Sequence, residues 1–116
     1  MPLSFTKRVL SGSTNGRPIS VTAVAATGST LHTTASQSDE IWLWGMNTAS
    51  YTARLVIEFG GTATTDTINF DLPAVGAGPT LLIPGWVLTA TLVARGYATV
   101  ASVISIDGYV NRISVT

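Results

Sequence analysis

The 116-residue sequence contains no cysteine. Disulfides, thiolate nucleophiles and thiolate zinc sites are therefore excluded. Charge is scarce too: six basic and six acidic side chains make up 10% of the chain, against roughly 25% in ordinary soluble domains. The net charge is zero, so nothing in bulk electrostatics points to nucleic acid or to an anionic membrane. Histidine occurs once. No segment of a dozen residues carries a clean helical stripe. The longest uncharged run, 72–94, has the length of a membrane span. Pro73, Pro79 and Pro84, with Gly76, Gly78 and Gly85, break it into pieces. Lipid would leave the backbone groups freed by those breaks unpaired. The first residues, Met1 to Arg8, lack the apolar run of a signal peptide. The expectation is a soluble chain with no membrane partner.

Serine and threonine fill the place of charge, with 11 Ser and 18 Thr. Apolar residues recur with period two in 19–26, 53–59, 67–72 and 88–95. That period marks strands with one buried face, and their β-branched residues suit a pleated surface. Turn chemistry separates them at 11–16, 27–28, 47–50, 60–66, 73–79 and 84–85. Seven to nine short antiparallel strands in one domain predict a β-sandwich or jelly roll. Residues 1–17 read as an N-terminal arm and 18–116 as the sandwich domain. The stretch 97–103 has room for one helical turn. In the last strand the apolar positions are even at Ile104 and Ile106, then odd at Tyr109, Ile113 and Val115. A parity switch at Asp107-Gly108 predicts a β-bulge, with a tight turn as the alternative.

Catalytic chemistry has little to work with. His32 lies in a polar strand or loop, and a triad with Asp39 and a serine is conceivable from distant parts of the chain. No Gly-x-Ser-x-Gly elbow accompanies it, and an exposed or hydrogen-bonded histidine is the simpler reading. Asp66 to Asp71 lacks the spacing and glycine of a calcium loop. Gly12 to Arg17 is one residue short of a phosphate-binding loop, with Arg17 in place of Lys and Pro18 blocking the helix. No catalytic residue, metal or cofactor is expected.

The charges are unevenly placed. Residues 1–38 carry Lys7, Arg8 and Arg17 and no acid, whereas residues 39–116 carry three Arg and six acids, a net of minus three. A basic arm that docks on an acidic surface fits this split. The most informative segment is Asp39-Glu-Ile-Trp-Leu-Trp-Gly-Met-Asn47. As a strand it turns Ile41 and Leu43 one way and Trp42, Trp44 and Met46 the other. A sandwich buries only one face of each sheet. The second apolar face needs cover from the chain's own segments, from another subunit or from a sugar. The residues expected at an interface are Lys7, Arg8, Arg17, Trp42, Trp44, Met46 and Trp86.

Several stretches of the second half carry a resemblance. They are Gly60 to Ile68, Asp71-Leu-Pro-Ala74, Leu82-Ile-Pro-Gly-Trp86, Leu92 to Tyr97, and Val103 to Ile113 with its Gly108-Tyr-Val-Asn-Arg112 core. Over residues 50–116 the chain resembles small β-rich virion proteins of tailed bacteriophages, among them capsid decoration, or cement, proteins. The resemblance implies a non-enzymatic structural role at the virion surface. It implies binding to the major capsid protein of a head shell and a homo-oligomer, often a trimer. It supplies no residue-level site. A neck or tail accessory protein, or a carbohydrate-binding module using Trp42, Trp44 or Trp86, is the alternative.

Overall fold

Period-two alternation places one side of each strand on a shared core. The computed structural model describes residues 3–115. Its strands are β1 (Leu3–Val9), β2 (Ile19–Ser20), β3 (Ser29–Thr33), β4 (Ser38–Asn47) and β5 (Ala53–Phe59). They continue with β6 (Thr67–Leu72), β7 (Thr80–Leu88), β8 (Val93–Ala98) and β9 (Ile104–Val115). They form two antiparallel sheets packed as a β-sandwich. The first sheet has the order β1-β9-β4-β7, and β2 pairs with β9 beside β1. The second has the order β3-β8-β5-β6. Ile41, Leu43, Ile104, Ile106 and Val110 of the first sheet meet Leu31, Leu55, Ile57 and Ala94 of the second in one core.

The segment read as an arm contains β1. It pairs along its whole length with β9, from Leu3 opposite Val115 to Val9 opposite Tyr109. Met1 and Pro2 lie outside the described residues. After β1 the chain buries Leu10 and crosses to β3, where the Gly12 N–H donates to the Leu31 carbonyl.

Four local expectations need correction. The strand expected over 19–26 stops at Ser20, because the chain changes sheets there. The Val21 N–H still donates to Ile104 of the first sheet, but the Ala23 carbonyl already accepts from Ala98 of the second. The run 88–95 is divided by a turn, with Ala90 and Thr91 at φ 60° and 62°, so Leu88 and Val93 belong to different sheets. No helical turn forms over 97–103; among the described residues the only helical element is the 3-10 turn Thr64–Asp66. No bulge or turn occurs at Asp107-Gly108, because β9 pairs with β4 in unbroken register from Ile104 to Ile113. The parity switch has another cause. Ile104, Ile106 and Val110 face the core, whereas Tyr109 and Ile113 are apolar residues on the outer face. The irregularities lie in β7 and β3. Gly85 and Leu82 are extra residues opposite β4, and Leu31 is an extra residue opposite β8.

Gly108 carries the unbroken register. A Cβ there would overlap the main-chain carbonyl oxygen of Trp42. That obstacle is backbone, which no rotamer change relieves. Gly108→Ala should therefore separate β9 from β4 and cost about 3 kcal/mol or more. Chemical denaturation measures it, and a variant as stable as the parent would refute the close approach.

Candidate functional site

Strand parity builds the outer face of the first sheet. Trp42 pairs with Tyr109 and Trp44 with Asp107, so all four share this face with Met46. Their positions on β1 and β9 add Lys7, opposite Asn111, and Val9, opposite Tyr109. The rings of Trp42, Trp44 and Tyr109 form a triangle with centroids 6.1–6.3 Å apart and planes within 27° of one another. Such stacked arrangements add to the apolar contact itself. The Lys7 ammonium sits 4.7 Å from the Tyr109 centroid, a cation–π contact. Glu40 accepts from Trp42 Nε1 at 2.7 Å and from Asn111 Nδ2 at 3.0 Å. These two hydrogen bonds hold its carboxyl below the usual carboxylate range, outweighing a smaller opposing effect of burial.

The Gly85 bulge makes room for this cluster. Gly85 has φ 82°, and a Cβ on it would lie 2.8 Å from the Trp42 ring. Beside the aromatic triangle is an open groove of about 670 Å³, lined by Trp44, Met46, Tyr109, Val9, Pro79 and Asp107 with two glycines. The three aromatic rings and Met46 are half-buried, and the apolar rim formed by Leu3, Phe5, Leu81 and Val87 is exposed.

Of the residues expected at an interface, Lys7, Trp42, Trp44 and Met46 come together here. The other three lie elsewhere. Arg8 points from the opposite face of β1. Arg17 lines a separate recess of about 360 Å³ with Gly12, Thr14 and Ile19. Trp86 turns to the inner side at the sandwich edge and meets Phe59 edge-on, with centroids 5.7 Å apart. Tyr109, Glu40 and Asn111 complete the face and were missed from sequence. For Tyr109 the signal is the odd apolar positions of β9, which imitate a bulge; Glu40 and Asn111, being polar, carry none.

His32 and Asp39 do meet, in the interior. The Leu31 bulge turns both Leu31 and His32 inward, and His32 Nε2 lies 2.8 Å from Asp39 Oδ2. His32 is 2% exposed and Asp39 fully buried. Arg112 of β9 donates to both oxygens of Asp39, from Nε at 2.8 Å and from its terminal nitrogen at 2.9 Å. The Ser11 backbone N–H donates to His32 Nδ1 at 3.0 Å. Nδ1 therefore carries the lone pair, and the proton sits on Nε2, directed at Asp39. Both ring nitrogens are occupied, and the group that reaches Nδ1 is the Ser11 amide rather than a hydroxyl. The network ties the two sheets together, since His32 comes from one and Asp39 and Arg112 from the other. Among the described residues no cluster of three metal-ligating side chains occurs.

Comparison with protein families, with curated proteins and with solved structures finds no match. Fold and face together define an all-β sandwich with an aromatic patch open on one sheet.

Burial pushes the Asp39 carboxyl up, but hydrogen bonds from Arg112 and His32, with the charge of Arg112, outweigh it and hold the group below its ordinary value. The unfolded carboxyl takes up its proton near pH 4 (about 3.9), before the folded one. The stability from this network is therefore complete above that value and is lost as pH falls toward the folded one. Asp39→Asn should cost about 3 kcal/mol at pH 7, because it leaves Arg112 without its counter-charge. The variant should also lose less stability than the parent between pH 5 and pH 3. Urea unfolding at several pH values measures both, and parallel pH profiles would contradict the assignment.

Proposed function

We propose that this protein is a non-enzymatic structural component that docks through the outer face of its first sheet. In the fullest form of the proposal it is a decoration protein of a tailed-phage head, assembled as a homo-oligomer on the major capsid protein at the virion surface. The observation that carries the reading is the aromatic triangle of Trp42, Trp44 and Tyr109, held half-buried on a face that the second sheet does not cover. Trp, Tyr and Met are enriched in interfaces, and aromatic anchors supply much of their binding energy. The face carries three charged groups, Lys7, Glu40 and Asp107, and the first two are already engaged within it, which limits the desolvation cost of covering it. The resemblance over residues 50–116 supplies the phage context. Repetition of one moderate contact over a symmetric shell gives an avidity that a single contact lacks.

The surface acts mainly through apolar contact. Lys7 is already engaged with Tyr109, and Glu40 is satisfied by Trp42 and Asn111. Binding should therefore persist as salt rises and screens exposed charges. Co-sedimentation with heads lacking the protein tests the proposal. Trp42→Ala and Trp44→Ala should each weaken binding about thirtyfold, whereas Arg17→Ala should change it little. Retained binding in both tryptophan variants would overturn the docking face. Specific glycan binding lost on the same substitutions would replace it with a carbohydrate-binding role.

A further inference from the structure

The free edge of the first sheet is formed by β1, and its chemistry differs from that of the other edges. On β7, Pro84 lacks an N–H, and two extra residues interrupt the register. At β3 the crossing segment intervenes: Gly12 N–H donates to Leu31, and Thr33 N–H donates to Ser11 Oγ. β6 presents Asn69 and Asp71 to solvent, Asp71 being paired with Arg54 of β5. These are common ways of blunting a strand edge. By contrast, β1 contains no proline and no bulge over its seven residues. Leu3, Phe5 and Val9 are 57%, 67% and 53% exposed. Lys7 and Arg8 would ordinarily protect such an edge, but the Lys7 ammonium is drawn over Tyr109, and Arg8, on the other face of the strand, blocks only those registers that set a like charge opposite it.

We propose that β1 pairs antiparallel with β1 of a second copy across a two-fold axis centred on Thr6. The inference rests on the homo-oligomeric part of the proposed function and specifies its surface. The chain itself selects the register. A two-fold axis normal to the sheet must place each residue opposite one of the same parity. Centring on Lys7 sets two ammonium groups opposite each other, which is unfavourable. Centring on Phe5 pairs only Leu3 to Lys7, five of the seven strand residues, with one another. Centring on Thr6 pairs all seven residues. Leu3 then faces Val9, Ser4 faces Arg8, and Phe5 faces Lys7, with no like charges directly opposed. The same axis keeps the outer faces of both copies on one side. The two aromatic triangles thus form one bivalent surface continuous through Leu3, Phe5 and Val9.

Light scattering over a concentration series, combined with cysteine cross-linking, tests this. The wild-type chain should show twice its 12.1 kDa mass. The natural sequence has no cysteine, so Thr6→Cys introduces a single thiol beside its symmetry mate. Under mild oxidation it should yield covalent dimer, because directly opposed strand residues have disulfide-compatible spacing. Thr99→Cys, exposed in the loop after β8, should not. Thr6→Lys should weaken self-association about tenfold while leaving the tryptophan fluorescence of the folded chain unchanged. A wild-type monomer at every concentration would overturn both the edge pairing and the homo-oligomeric reading. An oligomer with uncross-linked Thr6→Cys, or a trimer by mass, would overturn the edge pairing alone.

Discussion

β4 has two apolar faces, and the sandwich offers only one layer to bury them. Ile41 and Leu43 take the inner side and become fully buried beneath the second sheet. Parity then commits Trp42, Trp44 and Met46 to the outer side. Much of the molecule answers to that commitment. Gly108 lets β9 run close along β4, which brings Tyr109 beside the two indoles. Gly85 bulges β7 away from the Trp42 ring. Glu40 accepts from the Trp42 indole N–H and is itself held in place by the Asn111 amide, which donates to the same oxygen. The aromatic face is a supported feature, with polar and backbone positions arranged around it.

The interior has a second point of order. His32, Asp39 and Arg112 form a hydrogen-bonded chain that connects the sheets beside the first residue pairs of β4. A buried ion pair of this kind contributes modest net stability, but breaking it is costly. It fixes how the β3–β4 crossover enters the first sheet, and so the register from which Trp42 and Trp44 project. The crossing segment after β1 takes part as well, because the Ser11 amide sets the tautomer of His32. Interior electrostatics and the outer face are thus linked through a few residues of β4.

The regular strands were legible from sequence because alternation maps directly onto faces. The bounds expected for β4, β5 and β6 agree with the structure for that reason, as does the two-sheet architecture, although β5 also buries Val56 and Glu58 on the face expected to meet water. What alternation does not report is an extra residue. The bulges at Leu31, Leu82 and Gly85 leave no consistent mark, so the inward turn of His32 and the inward turn of Trp86 were not foreseen. The opposite error occurred in β9. Tyr109 and Ile113 imitate a bulge because both faces of that strand carry apolar groups. Within the candidate site, residue type and parity point to Trp42, Trp44 and Met46. Lys7, Arg8 and Arg17 join them by charge alone, and charge carries no information about direction, so only Lys7 of the three reaches the face.

If the proposed docking role holds, the outer face of the first sheet is covered in the bound state. Hydroxyl-radical footprinting tests this by comparing the isolated chain with the same protein bound to the proposed particle, a phage head. Trp42, Trp44, Tyr109 and Met46 should oxidise in the isolated chain and be protected on the particle, while Trp86 should oxidise equally in both. Unchanged oxidation of the four face residues, with protection appearing at Trp86 or around Arg17, would contradict the account.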